Sequence, residues 1–275
     1  MERIRAAIQK ARETRDDGTP VAATGAAMAT APQAHAPGSI AANWEALEVF
    51  KPQLHLMAKN RIVTFDQKDK AHVPFDMMRT QVLAACRKNG WKTVGITSPT
   101  PACGKTVTAI NLAFSFARQK DTRTVLMDVD MRKPMVAEDL GISSSHSMGK
   151  FLSGASGVQE NFLSYSETLA IGTNNRRSLH SAEILQDSKA VDAMALLHKS
   201  LKPDVVLVDM PPMLATDDVM AFLPNVDAML LIVAAGSSTI KEVDDCEREL
   251  SERTNVMGVI LNKCKYVPEN YGYSY

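Results

Sequence analysis

Between Thr93 and Pro134 the chain sets out a short apolar strand, a loop closing on Gly104-Lys105-Thr106, a helical stretch, and a second strand ending Asp128-Val129-Asp130-Met131-Arg132. No other segment restricts the fold as strongly. A strand that feeds such a loop and then a helix leaves the free N–H groups of the helix's first turn facing one point, which suits a phosphate. In that arrangement Lys105 neutralises terminal phosphate oxygens and the Thr106 hydroxyl ligates magnesium. Thr100, Pro101, Ala102 and Cys103 complete the cradle before Gly104. The first glycine of the G-x-x-x-x-G-K-[ST] pattern is missing, with Pro99 in its place. The assignment therefore rests on the strand before the loop and the helix, residues 105–118, after it. Cys103 is either a small loop filler or a thiol whose ionisation the helix start favours.

The rest of the chain alternates apolar runs with helical patterns. Residues 94–96, 125–127, 169–171, 205–208, 228–233 and 256–261 are continuously apolar, as strands covered on both faces by crossover helices must be. This predicts an α/β fold, a doubly wound and mostly parallel sheet flanked by helices. The run at 205–208 ends in Asp209, and a carboxylate at the carboxyl end of a parallel strand lies where open sheets bind ligands. Asp128 and Asp130 close another such strand. Residues two apart share a face, so both carboxylates can meet one metal-phosphate centre, one as base and the other as magnesium ligand, with the division between them open. Arg132 faces phosphate or an acidic partner. Asn262 follows the last strand, where an asparagine can serve as a cap.

Lys+Arg and Asp+Glu both number 31, so the chain lacks the basic excess of a general nucleic-acid binder. Four scattered cysteines without metal-type spacing suit reduced thiols. The apolar run near residues 228–235 is far short of the roughly 20 residues that a spanning helix needs. With no apolar signal core at the amino terminus, a cytoplasmic protein is expected. Residues 1–43 read as a short basic amphipathic helix (Ile4, Ala7, Ile8 and Ala11 at helical spacing) and a flexible linker, 44–72 as a lead-in segment, 73–265 as the nucleotide-binding domain and 266–275 as a tail. Within the lead-in, Leu47, Phe50, Leu54, Leu56 and Met57 are expected to cover one side of the domain. A helix over residues 75–88 is predicted to close at Asn89-Gly90.

Together, the segment from Thr97 through Thr106, the strand end Val125-Leu126-Met127-Asp128-Val129-Asp130-Met131-Arg132-Lys133-Pro134 and Val208-Asp209-Met210-Pro211-Pro212 resemble the bacterial tyrosine kinases of capsule and exopolysaccharide synthesis, relatives of the cell-division and partition ATPases. The resemblance implies an ATP- and Mg2+-dependent protein-tyrosine autokinase regulating polysaccharide polymerisation and export. It places Lys105, Thr106, Arg132 and Asn262 on nucleotide, Asp128, Asp130 and Asp209 in metal and proton-transfer roles, and Tyr266, Tyr271, Tyr273 and Tyr275 as phosphoacceptors. Those four are all but one of the chain's tyrosines. The resemblance further implies a separate membrane polysaccharide co-polymerase as activator, recruitment to the inner face of the membrane, self-association and an opposing phosphotyrosine phosphatase, with no nucleic acid. Family members often carry a Glu and two Arg at three-residue spacing on the helix before the loop, for subunit contact. Here the positions hold Val73, Asp76 and Arg79. The remaining alternatives are a partition-like ATPase switch and an ATP-binding scaffold for a transporter.

Overall fold

The computed structural model of the chain describes residues 38–66, 68–143, 145–178 and 180–265. The amino-terminal helix, most of the linker and the four tail tyrosines lie outside the described residues. In chain order the elements are α1 (Ile40–Glu45), β1 (Glu48–Val49), α2 (Leu54–Lys59), α3 (Val73–Asn89), β2 (Thr93–Thr97), α4 (Lys105–Ala117), β3 (Thr124–Asp128), α5 (Val136–Leu140), α6 (Met148–Leu152), β4 (Phe162–Ser166), β5 (Leu169–Gly172), α7 (Ser181–Gln186), α8 (Ser188–Leu201), β6 (Val205–Asp209), α9 (Asp218–Phe222), β7 (Ala228–Ala234), α10 (Ile240–Ser251) and β8 (Asn255–Asn262).

The eight strands form one sheet in the order β1-β4-β5-β3-β6-β2-β7-β8. Every neighbouring pair is parallel except β4 and β5. The central strands are buried residue by residue, and their side chains divide by parity between two cores. Val125, Met127, Val206 and Val208 enter the core beneath α1 and α6–α10, while Leu126, Val205 and Leu207 enter the core beneath α2–α5. This is why the strands read as continuous apolar runs. Each such side chain contributes about 1.5–3 kcal/mol on burial. Because β2, β3 and β6 are mutually parallel, their carboxyl ends share one edge of the sheet. Among the described residues no helix is long and apolar enough to cross a membrane.

The segment before α3 wraps the sheet edge and does not cover one side only. Trp44 and Leu47 join one core, Met57 and Ile62 the other, and Leu54 is exposed. Its two ends are pinned differently. The Trp44 indole N–H donates to the Leu201 carbonyl at 2.8 Å. Buried Asn111 on α4 accepts from the N–H groups of Val63 and Thr64 and donates to the carbonyls of Arg61 and Val107. Helix α3 closes on Gly90 at φ +73°, the left-handed cap that its sequence predicts.

Candidate nucleotide site

The loop between β2 and α4 takes the cradle shape without the usual first glycine. Pro99 is not at positive φ; the left-handed positions are Ala102 at +63° and Gly104 at +92°. Gly104 is needed on two grounds, its φ and its neighbour, because a Cβ there would lie 2.3 Å from the Asn262 side-chain nitrogen. Ser98 Oγ donates to the Thr100 carbonyl at 2.8 Å. The Cys103 thiol is buried and turns inward, 3.2 Å from the Thr100 carbonyl and 3.5 Å from Ser238 Oγ; burial acts to raise its pKa, but the hydrogen bonds from Ser238 and Thr100 outweigh it and the net shift is downward. Pro101 and Ala102 stay exposed at the loop tip.

Lys105 and Thr106 open α4 and are buried against the ends of β3 and β6. The Lys105 ammonium lies 2.7 Å from Asp130 Oδ2 and 3.9 Å from Asp209 Oδ1. The Thr106 hydroxyl donates to Asp209 Oδ2 at 2.7 Å. Sheet register explains the rest: Asp128 and Asp209 are paired residues on adjacent parallel strands, so their carboxyls emerge side by side. The chain leaves β3 after Asp128, and Val129 and Asp130 both donate backbone N–H groups to the Asp209 carbonyl. Asp130 thereby turns back to Lys105, its other oxygen accepting from the Lys133 N–H at 3.0 Å.

Three carboxylates thus surround one lysine. Asp128 and Asp209 are fully buried, and one oxygen of each, Oδ1, has no hydrogen-bond partner. Burial raises the Asp128 carboxyl well above its ordinary pKa, with the Asp209 charge adding to the effect. Burial likewise raises Asp209 to about 6, against the opposing pull of Lys105 and the Thr106 hydroxyl. Burial acts to lower the Lys105 pKa, but the charges of Asp209 and Asp130 outweigh it and the net shift is upward. Two orphaned buried carboxylate oxygens beside a threonine hydroxyl are a donor set that a hard divalent cation satisfies.

Arg132 engages protein and not the loop: its guanidinium grips Asp218 through Nε at 3.1 Å and Nη2 at 2.8 Å, and Ser181 Oγ donates to the same carboxylate at 2.6 Å. Asn262 donates to the Cys103 carbonyl at 2.9 Å, fastening the end of β8 to the phosphate loop. On α3, Asp76 bonds Arg79, Arg118 and Ser115 of its own chain. Sequence reasoning missed Asp218 and Asn174. Asn174 is buried, donates to the Asp128 carbonyl at 2.6 Å and accepts from the Met148 N–H at 2.9 Å. Its place just beyond the carboxyl end of β5, on the edge where ligands bind, was the available signal.

Fold and site together define a nucleotide-binding protein of the phosphate-loop class. The chain belongs to the CobQ/CobB/MinD/ParA nucleotide binding domain family, which matches residues 94–270, more than half its length. Its relatives there are tyrosine kinases, as the motifs implied. It is 28% identical over 187 residues to the tyrosine-protein kinase CpsD of Streptococcus pneumoniae serotype 4, covering 66% of this chain and 80% of that protein. The kinase domain of the Escherichia coli tyrosine kinase ETK superposes with a TM-score of 0.67 at 26% identity, over 78% of this chain and 84% of that one. The fold also matches cobyrinic acid a,c-diamide synthase from Mycobacterium smegmatis, solved with an ATP analogue and magnesium, with a TM-score of 0.52 at 16% identity, over 62% and 74% of the two chains.

Proposed function

We infer that this chain is an ATP-dependent protein-tyrosine autokinase that regulates exopolysaccharide or capsule polymerisation and export. The observation that carries the reading is the excess of buried carboxylate around Lys105 and Thr106 at the meeting of β2, β3 and β6. Structural ion clusters are usually balanced; this one has negative charge and unpaired oxygens in reserve.

The residues divide the work as follows. The loop from Thr100 to Thr106 and the first turn of α4 hold the ATP phosphates, and Lys105 exchanges Asp130 for phosphate oxygens. Thr106, Asp128 and Asp209 hold Mg2+, which when bound offsets the charge developing on the transferred phosphoryl group. Asp130 or Asp128 accepts the phenolic proton as the tyrosine oxygen bonds to the γ-phosphorus and ADP departs. A phenol of pKa about 10 is largely protonated at neutral pH, so this transfer comes late. Asn262 sets the loop at the edge of the base pocket. Arg132 acts through Asp218, holding the segment after β3 against α9. The acceptors are Tyr266, Tyr271, Tyr273 and Tyr275. The protein works in the cytoplasm beside a separate membrane co-polymerase that recruits and activates it, forms assemblies with itself and is reset by a phosphotyrosine phosphatase.

Purified protein incubated with magnesium and ATP, with mass spectrometry of residues 266–275 and a Lys105→Met control, tests the assignment. Phosphotyrosine in the unaltered chain alone is the expected result. Phosphate release without phosphoprotein indicates a partition-like switch, and binding without turnover indicates a scaffold.

A further inference from the structure

Beside the carboxylate cluster lies a second, oppositely charged feature that the phosphoryl transfer described above does not use. The loop leaving β5 carries Arg176 and Arg177, both exposed and neither in an ion pair among the described residues. The pair separates two cavities, of about 310 and 520 Å3, that share both arginines and Asn174. The smaller is walled by Met131 and Lys150, the larger by Pro134 and Met135, so both adjoin the segment that directly follows Asp130. Glu138 is the one carboxylate among the lining residues of either.

The loop is held at several points. Asn174 bridges the Asp128 carbonyl and the Met148 N–H, Asn175 donates its N–H to the His146 carbonyl at 3.1 Å, and Ser178 donates its N–H to the Met131 carbonyl at 2.8 Å. Two guanidiniums are therefore carried on a backbone fixed to the strand end that supplies the aspartates. Arg132, the other guanidinium on this edge, is already committed to Asp218. An adjacent pair of unpaired planar forks suits a dianionic phosphate, which accepts several charge-assisted hydrogen bonds at once.

We propose that Arg176 and Arg177 form a dock for phosphotyrosine, occupied by the phosphorylated form of residues 266–275. Tyr271, Tyr273 and Tyr275 are spaced two apart. A phosphate held at the arginine pair keeps a neighbouring, unmodified tyrosine beside the carboxylates, so the first transfer favours the next. The dock rests on the kinase reading and adds a product-binding site to it.

The test uses two measurements. A labelled peptide of residues 266–275, with and without phosphate on Tyr273, is titrated against the full chain carrying Lys105→Met, which binds without transferring. The phosphopeptide is expected to bind about tenfold tighter, and an added Arg176→Gln/Arg177→Gln pair to remove that preference while thermal unfolding is unchanged. Separately, intact-mass spectra of the otherwise unaltered chain bearing only the arginine pair of substitutions are expected to show singly phosphorylated tails accumulating, where the parent chain proceeds to higher states. A phosphopeptide that binds no tighter, or a preference that survives the double substitution, overturns the dock. Absence of phosphotyrosine from the unaltered chain overturns the kinase reading instead, and the peptide titration still decides the dock.

Discussion

Two clusters of buried or half-buried charge lie at opposite ends of α4, and they are built on different principles. Around Asp76, one carboxylate meets the guanidiniums of Arg79 and Arg118, with the Ser115 hydroxyl and His72 nearby. Here the one carboxylate is saturated with donors, and the surplus is positive and on partly exposed side chains that water can screen. Around Lys105, three carboxylates meet one ammonium, two of them without any exposure, and two oxygens have no hydrogen-bond partner. A fold gains from the first arrangement and loses from the second, since uncompensated buried charge costs several kcal/mol. The comparison separates residues kept for holding α3 to α4 from residues kept for a ligand. It also accounts for the departure from the family's Glu and Arg spacing on α3: Asp76 and Arg79 are spent within the chain.

The contrast can be broken in several ways. Lys105→Met should reduce tail phosphorylation about 10²–10³-fold, measured by phosphotyrosine mass spectrometry, because it removes the positive charge nearest the transferred group. Asp76→Ala should lower stability to urea by about 2 kcal/mol while leaving nucleotide affinity unchanged, since it strands two arginines far from the phosphate loop. Asp209→Asn should do the reverse. In EDTA it should raise stability by about 1 kcal/mol, as a surplus buried charge disappears while the Thr106 hydroxyl keeps an acceptor, and it should abolish magnesium-dependent nucleotide binding. If both substitutions destabilise alike, the two clusters do not differ in kind.

A smaller effect tests surplus charge by pH. Burial, with the neighbouring Glu138 charge, raises Asp139 to about 6. Its folded pKa exceeds its unfolded value, so the folded state binds the extra proton. The resulting stability is full below about pH 4 and lost as pH rises through 6. Asp139→Asn should therefore be neutral at pH 4 and stabilising by about 1 kcal/mol at pH 7, after allowing for solvent screening. Urea midpoints at the two values decide it.

Much of this was legible from composition and pattern, and for identifiable reasons. Strands buried on both faces print themselves as apolar runs, so β2, β3, β5, β6 and β7 could be read directly; β8 has the same kind of run but is an edge strand with Val259 and Leu261 exposed, so the expected cover on both faces is missing there. β1 has two residues, both exposed, and β4 carries two serines among its five residues in an antiparallel pairing; neither gives such a signal. The convergence of Lys105, Thr106, Asp128, Asp130 and Asp209 followed from placing each at a strand end or helix start. The partners of Arg132 and Asn262 did not, because sequence gives a side chain's reach but not which of several acceptors wins. The missing glycine at Pro99 is explained only by the backbone, since the left-handed turn falls at Ala102. Pro99→Gly should therefore change nucleotide affinity less than about twofold, the smallest effect expected here, as judged by equilibrium titration.

The pairing of Asp128 with Asp209 across β3 and β6 has a mechanical consequence. Both carboxyls are rooted in the middle of an eight-stranded sheet, so shifting one relative to the other means sliding a strand against its neighbours, and a slip of one residue would put every apolar residue on it against the wrong core. The proposed cation seat is thus the part of the machine with least play, and on that reading control of the reaction falls to what approaches it from outside the sheet.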